Sequence, residues 1–184
     1  MKALHASKGR KSAAEFIAEG RAAVLAALAS KRYPVVSLYV TESGAELLPQ
    51  SALNRAIYLS EKVMAAISTV ESAQGVLAIC AMNRETDPNH VGEIFQRVQL
   101  PLIYCFEVND PGNLGTIIRT ADALGAAGVL LSPGSADPFS PKVVRSTAGS
   151  LWNVPVLREV DIQSAVKAAR SYKRKIYAAD GRGS

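Results

Sequence analysis

The segment NDPGNLGTIIRTADALG, residues 109–125, follows an apolar run at residues 102–108, and with it the hydrophobic periodicity changes from that of a strand to that of a helix. Its apolar side chains recur at positions i, i+3, i+4, i+7 and i+10, and Gly125 supplies a stop; they are Leu114, Ile117, Ile118, Ala121 and Leu124. We predict a strand over 102–108 and a helix over 114–124. The loop between them lies where open α/β sheets bind ligands, although it matches neither a dinucleotide nor a P-loop pattern.

Strands and helices alternate through the rest of this half of the chain. The patterns predict strands at residues 129–132, 154–157 and 175–179, and helices at 141–151 and 162–172. Ser140 followed by Pro141 is the favoured order of an N-cap and a first helical residue. Because each right-handed crossover helix covers one face of a sheet, this alternation favours an α/β fold with a parallel sheet.

The N-terminal half predicts a second, smaller α/β unit. Ser12 as N-cap and Glu15 as its capping-box partner indicate a helix over residues 12–29, and short apolar runs indicate strands at 35–41, 57–60 and 75–82. Residues 83–99 lose the strand pattern and gather charge, which is typical of an interdomain connection. We therefore predict a first domain over 1–84, a linker over 85–100 and a second domain over 101–184.

Charge and hydropathy narrow the function classes. The net charge is +5, and residues 1–32 alone hold seven Lys or Arg against two Glu, which suits a polyanionic partner at the N-terminal end. The apolar runs are far shorter than the roughly 20 residues of a membrane helix. No apolar region follows the basic N-terminus as in a secretory signal, so we expect a cytoplasmic protein.

The cysteines and histidines indicate no metal chemistry. Cys80 and Cys105 each stand inside an apolar strand pattern, without a second Cys or a His at ligand spacing, and we expect buried reduced thiols. His5 and His90 are isolated in polar surroundings, and we expect ordinary surface histidines.

Several segments together resemble one family. Residues 109–125 closely resemble the first signature motif of the SpoU family, RNA 2′-O-ribose methyltransferases of the knotted SPOUT group. Residues 137–142 (DPFSPK) and 144–150 (VRSTAGS) are similar to the family's next segment. Residues 16–21 (FIAEGR) and 72–78 (SAQGVLA) resemble the substrate-binding domain that often precedes the catalytic one. The resemblance implies a small α/β RNA-binding domain followed by a parallel-sheet SPOUT domain of the trefoil-knot type.

The resemblance implies that Asn113 and Arg119 are catalytic, acting on a ribose 2′-hydroxyl while S-adenosylmethionine supplies the methyl group. Because arginine in proteins has a pKa above about 12, we prefer a role for Arg119 in holding an RNA phosphate and orienting the hydroxyl, with base action as the alternative. Without the motif, Asn113 would be interpreted as a helix cap and Arg119 as a solvated partner of Asp122.

Basic residues in two places are candidates for RNA contact. They are Lys8, Arg10, Lys11 and Arg21 near the N-terminus, and Lys142, Arg145 and Ser146 in the helix predicted after Ser140. The alternatives are a frayed basic terminus for the first group and, for the second, an exposed basic helix face with a back-bonded serine. Trp152 is interpreted as packing in the core or in a dimer interface rather than as a platform for stacking bases.

Family members continue into a Gly-rich motif and a Ser-Leu-Asn motif, which thread the knot and form most of the donor pocket. The 184 residues contain neither motif. We therefore expect a chain truncated before the knot, with four strands of the SPOUT sheet and weak donor binding, in which Ala179 and Asp180 are the remaining cofactor-binding candidates. The resemblance further implies an rRNA or tRNA substrate and a homodimer, with no metal.

Two other classes of protein remain open at this point. The first is a non-catalytic RNA-binding module that keeps the N-terminal domain. The second is a small-molecule α/β enzyme that binds an anion at residues 109–115, although no nucleophile–base pair or metal cluster accompanies that loop.

Overall fold

A computed structural model describes residues 1–82 and 91–179. Within these ranges the chain forms two sheets. One has four strands in the order β1-β4-β2-β3, and the other has three strands in the order β5-β6-β7. The first sheet uses residues before position 82 and the second uses residues after position 101.

The N-terminal half is a mixed sheet with short helices around it. Its elements are a 3-10 helix Lys2–His5, α1 Ser7–Ala13, β1 Glu15–Glu19, α2 Arg21–Ala29, β2 Val35–Val40, α3 Glu42–Ala45, α4 Gln50–Leu53, β3 Ala56–Tyr58, α5 Glu61–Ile67 and β4 Val76–Ala81. Strand β4 pairs antiparallel with both β1 and β2, and β2 pairs parallel with β3. The predicted small α/β unit with strands near 35–41, 57–60 and 75–82 is confirmed.

The predicted helix over residues 12–29 is wrong, because strand β1 interrupts it. Ser12 lies inside α1, which ends at Ala14 with φ 52°, and Gly20 at φ 88° turns the chain from β1 into α2. Phe16, Ile17 and Ala18 are fully buried. A strand buried on both faces has a continuous apolar run without alternation, and such a run cannot be told from a helix by periodicity.

The C-terminal half is a parallel sheet with helical connections, as predicted. Its elements are α6 Val91–Gln96, β5 Leu102–Cys105, α7 Pro111–Ala123, β6 Gly128–Leu131, α8 Pro141–Ser146, a 3-10 helix Ser150–Trp152, β7 Val156–Leu157 and α9 Ile162–Ser171. Leu102 pairs with Gly128, and Val129 with Val156, both in parallel register.

Three details of this half differ from the sequence-based expectation. The predicted helix 141–151 ends at Ser146 and resumes as a 3-10 turn, because Ala148 and Gly149 have φ of 50° and 100°. Residues 175–179 form no strand and are exposed, so the described part of the sheet has three strands instead of four. Residues 91–96 of the predicted linker form helix α6, whose Ile94 and Phe95 pack in a buried cluster with α9. Residues 83–90 lie outside the described ranges.

The two sheets share a core. Phe16 and Tyr33 from the N-terminal half contact Phe139 and Trp152 from the C-terminal half, with ring centroids 4.9–5.8 Å apart. All four rings are at most 2% exposed. Trp152 is therefore a core residue, as predicted, and the large apolar area removed from water stabilises the contact between the halves.

The cysteines are buried free thiols, as predicted. Burial raises the pKa of Cys80 to about 12 and that of Cys105 to about 11. His5 is exposed and lies 3.1 Å from the Ile67 carbonyl, whereas His90 falls outside the described residues. Over the described ranges, no helix has the length and apolar character to cross a bilayer.

Candidate functional site

The loop after β5 places the start of α7 at the carboxyl edge of the parallel sheet. Asp110 caps this helix, because its Oδ1 accepts the N–H of Asn113 at 2.7 Å and its carbonyl accepts that of Leu114 at 3.0 Å. Pro111 occupies the first helical position, where a missing N–H costs nothing. Since Asp110 supplies the cap, the Asn113 side chain is not needed for capping, and it is exposed.

The loops that leave β5 and β6 are tied together beside this helix. The N–H of Glu107 donates to the Ser132 hydroxyl at 2.8 Å, and the N–H of Ala136 donates to the Val108 carbonyl at 2.9 Å. Glu107 is held at φ 50°, a left-handed conformation that few non-glycine residues adopt. These bonds fix the backbone on which the start of α7 rests.

Arg119 is exposed two turns further along α7. Its guanidinium has no hydrogen bond or ion pair with any residue that the structure describes. The alternative partner, Asp122, accepts a hydrogen bond from the Asn153 amide at 2.8 Å instead. The five donors of Arg119 therefore face solvent and are available to an anionic ligand.

Helix α8 packs closely against this helix. Ser140 caps α8 by accepting the N–H of Val143, and Pro141 follows it, as predicted. Gly115 of α7 is buried, and a Cβ atom built on it would lie 2.3 Å from the Cβ of Ser146. The contact therefore requires glycine at position 115, and the position of α8 determines that of the α7 segment carrying Asn113 and Arg119.

The predicted basic residues of α1 separate into two kinds. Lys8 and Lys11 are exposed. Arg10 is 3% exposed, and its guanidinium donates to the carbonyls of Leu4 and His5 and, at 2.6 and 3.0 Å, to the carboxylate of Asp137. A buried guanidinium with these partners cannot contact RNA in this structure, so the prediction for Arg10 is corrected to a structural role between the two halves.

Two other predicted residues come together. Arg21 at the start of α2 and Arg145 in α8 line one cavity of about 550 Å³ between the halves. Arg145 donates to the Thr69 hydroxyl, and its Nη1 lies 3.9 Å from Oε2 of Glu19.

The remaining candidates stand apart from that cavity. Lys142 is exposed. The Ser146 hydroxyl donates to the Lys142 carbonyl at 2.9 Å, as in the alternative interpretation of a back-bonded serine. Ala179 is exposed in an irregular segment, and Asp180 lies outside the described residues.

The sequence did not indicate the role of Asp137. Besides Arg10, this carboxylate has Arg158 Nη1 at 3.7 Å and accepts the N–H of Phe139 at 3.0 Å. Asp137 belongs to the segment DPFSPK, residues 137–142, which resembles the SpoU family. Its partner Arg10, however, is 127 residues away. Pairing at that separation leaves no local pattern.

A parallel sheet with helix α7 starting at its carboxyl edge, joined through a shared core to a small mixed α/β unit, is the architecture of SPOUT-type methyltransferases. Residues 101–184 match the model of the SpoU rRNA Methylase family, and residues 1–78 match the MRM3-like substrate binding domain. The chain belongs to the SpoU rRNA methylase family.

Individual relatives agree with this assignment. The chain is 34% identical over 179 residues to the 23S rRNA (guanosine(2553)-2′-O)-methyltransferase RlmP of Bacillus subtilis, an alignment that covers 96% of the chain and 66% of that relative. It is 32% identical over 121 residues to the human mitochondrial rRNA methyltransferase 3, with 63% of the chain and 27% of the human protein covered.

Solved structures have the same fold. The AdoMet-bound rRNA methyltransferase from Sinorhizobium meliloti superposes with a TM-score of 0.77 and 31% identity over 93% of the chain and 64% of that protein. The SpoU methyltransferase AviRb from Streptomyces viridochromogenes, in complex with AdoMet, superposes with a TM-score of 0.75 and 26% identity over 93% of the chain and 65% of that protein. The chain thus spans about two thirds of the length of the Bacillus and Sinorhizobium relatives.

Proposed function

We propose that the protein transfers a methyl group from S-adenosylmethionine to a ribose 2′-hydroxyl of ribosomal RNA. The observation that carries the proposal is that Asn113 and Arg119 of α7 are both exposed. Their local alternative roles are filled by other residues, because Asp110 caps the helix and Asn153 donates to Asp122. The motif residues are thereby left available for a ligand. The names of the Bacillus and human relatives support rRNA as the substrate.

The chemistry requires an oxygen atom held in line with a reactive methyl group. When bound, S-adenosylmethionine would supply that methyl on a positively charged sulfur and would leave as the neutral thioether S-adenosylhomocysteine, with the proton of the 2′-hydroxyl passing to water. Arg119 binds the phosphate beside the target ribose with its planar fork of donors and holds the hydroxyl in place. Asn113 hydrogen-bonds the ribose. Positioning of this kind can supply a large share of the rate acceleration of methyl transfer.

We assign no step to the predicted donor-binding residues. Ala179 is exposed and makes no hydrogen bond among the described residues, and Asp180 lies outside them. Support for S-adenosylmethionine comes instead from the two structural neighbours that hold AdoMet.

The proposal includes a homodimer located in the cytoplasm, as the family resemblance implies. Light scattering on the purified protein tests the mass of the dimer.

The test uses protein expressed from its complete reading frame, a 23S rRNA transcript and S-adenosylmethionine with a tritiated methyl group. Arg119→Ala is expected to lower the rate of methyl transfer by about 100-fold or more, because the hydroxyl is no longer aligned with the methyl group. The Kd for RNA is expected to rise only a few-fold, since one phosphate contact among several is lost. Arg170→Ala, at an exposed position near the end of α9, is the matched control and keeps full activity.

Three outcomes separate the candidate functions. Loss of methyl transfer in Arg119→Ala, with RNA binding weakened no more than a few-fold, supports catalysis. Equal loss of RNA binding and transfer in Arg119→Ala favours a non-catalytic RNA-binding module. Absence of transfer by the wild type, measured with the same rRNA bound, overturns the proposal.

A further inference from the structure

One cavity is lined by residues from both halves of the molecule. It has a volume of about 550 Å³ and lies between the end of β1, the loop before β4 and helix α8; its lining includes Glu19, Gly20, Arg21, Gln74 and Arg145. We call it the Arg21–Arg145 pocket. Its volume falls within the range of about 300–1,000 Å³ that is typical of small-ligand sites.

The side of the pocket formed by the N-terminal half is held in shape by one side chain. Oε1 of Gln74 accepts the N–H of Arg21 at 2.8 Å, which ties the loop before β4 to the start of α2. A Cβ atom on Gly20 would lie 3.1 Å from the same oxygen, and Gly20 has φ 88°, so glycine is needed there on both grounds. Since the Gln74 oxygen is engaged, its NH₂ group remains as a donor.

The charges in the pocket favour an anion. Glu19 is 5% exposed, and its carboxylate accepts the hydroxyls of Ser68 and Thr69 and the N–H of Thr69. Arg145 donates to Thr69 from Nη1, which leaves its other donors free. Arg21 is exposed, and within residues 1–82 and 91–179 its guanidinium has no partner. One engaged carboxylate therefore faces two guanidinium groups.

The pocket is next to the helix pair that carries the candidate active site. Arg145 lines it, and the following residue, Ser146, meets Gly115 of α7. A ligand held by Arg145 is thus bound to the helix against which the Asn113 and Arg119 segment packs.

We propose that the Arg21–Arg145 pocket binds one nucleotide of the substrate RNA at a distance from the methylated ribose, with its phosphate on Arg21 and Arg145 and its base beside Val70 and the Gln74 amide. The identity of the ligand as RNA rests on the proposed function. Arginine forks match phosphate oxygens geometrically, and an amide donor with an apolar neighbour suits the edge and face of an unstacked base. The pocket makes RNA affinity depend on both halves of the chain together.

The test measures binding of a fluorescein-labelled 23S rRNA transcript by anisotropy across a series of salt concentrations. Arg21→Glu is expected to raise the Kd by about tenfold and to reduce the slope of log K against log salt by about one phosphate contact. Because Arg21 is exposed, this variant keeps the wild-type thermal midpoint. Arg170→Glu, with the same change of charge on α9, is expected to leave Kd and slope within twofold of the wild type.

A second variant addresses the other half of the pocket. Arg145→Gln removes the charge while keeping a donor for Thr69, and it is expected to reproduce the change in salt slope. The double variant Arg21→Glu with Arg145→Gln should weaken binding by less than the product of the two single effects, since both residues hold one phosphate. Equal Kd values for Arg21→Glu and Arg170→Glu overturn the inference.

Uridine 5′-monophosphate, added alone, separates RNA from a free nucleotide as the occupant. If Arg21→Glu abolishes its binding but leaves the rRNA Kd unchanged, the pocket serves a free nucleotide and the RNA assignment is wrong. Methyl transfer assayed on the same samples distinguishes the two proposals. If RNA binding depends on Arg21 but the wild type transfers no methyl group, the proposed function is overturned and the pocket inference is not. If transfer depends on Arg119 but Arg21→Glu binds RNA normally, the pocket inference is overturned and the proposed function is not.

Discussion

Helix α7 and the joint formed by Arg10 of α1 with Asp137 of the loop before α8 both carry an arginine, but the two arginines are in opposite environments. At the joint, Arg10 is buried and bonded to Asp137, which also lies near Arg158. On α7, Arg119 is exposed and has no partner among the described residues. Side-chain type does not decide which arginine stabilises the fold and which is available to a ligand. Burial and the supply of partners decide it, and both can be tested by substitution.

The largest expected effect is at the joint. Arg10→Ala removes both hydrogen bonds to Oδ2 of Asp137 and leaves that carboxylate with the Phe139 N–H and, at 3.7 Å, Arg158. We expect the free energy of unfolding to fall by about 3 kcal/mol. That is at the low end of values for broken buried pairs, because Asp137 retains some solvent contact. Lys11→Ala, at the neighbouring exposed position, is the control and should change stability by less than about 0.5 kcal/mol in urea unfolding. Similar losses for both variants would contradict the assignment of Arg10 to the joint.

The next effect is on activity alone. Asn113→Ala is expected to slow methyl transfer by about 100-fold, equivalent to about 2.7 kcal/mol in the barrier, with unchanged unfolding because Asp110 provides the cap. The measurement is single-turnover transfer beside thermal unfolding. Thr116→Ala, which removes an exposed hydroxyl bonded to the Gly112 carbonyl, serves as the control and keeps its rate. A lowered thermal midpoint in Asn113→Ala would show that the side chain stabilises the helix after all.

Gly115→Ala tests the link between the two regions. The added methyl group meets Ser146 Cβ at 2.3 Å and the backbone carbon of Ser146 at 3.0 Å, so the helices must separate. We expect a loss of about 2 kcal/mol in stability, since overpacking outweighs the better helix propensity of alanine. Combining it with Ser146→Gly should recover part of that loss in a double-mutant cycle. Full additivity of the two losses would mean that the close contact does not form.

The smallest expected effect concerns the cap itself. Asp110→Ala should cost about 1 kcal/mol of stability, whereas Asp110→Asn should retain most of it because an amide oxygen can accept the Asn113 N–H. Chemical unfolding of the two variants checks this difference. If Asp110→Asn loses as much stability as Asp110→Ala, the stabilisation by Asp110 comes from its charge and not from the capping hydrogen bond.

Local patterns predicted the C-terminal sheet well. The alternation of strands and helices indicated parallel pairing, and Ser140 and Pro141 marked the start of α8 correctly. Strand β1 was missed because both of its faces are buried, which removes the alternation that identifies a strand. The predicted strand at 175–179 is exposed irregular chain in the structure.

The candidate site was predictable only in part. Asn113 and Arg119 were found through a motif, and the structure leaves both of them exposed. The burial of Arg10 and the convergence of Arg21 with Arg145 depend on contacts between residues more than 100 positions apart in the chain. Such contacts are set by how the two halves pack, and one sequence carries no local signal for them.

The aromatic core between the halves has a consequence for synthesis on the ribosome. The strands of the first sheet are complete once residue 82 has been made, but the faces of Phe16 and Tyr33 are covered by Phe139 and Trp152. About 70 further residues must be translated before Trp152 exists, which takes on the order of ten seconds at ~5–20 residues per second. During that interval the nascent first sheet presents an uncovered apolar surface, and holding by a chaperone or by the ribosome surface would protect it from association with other chains.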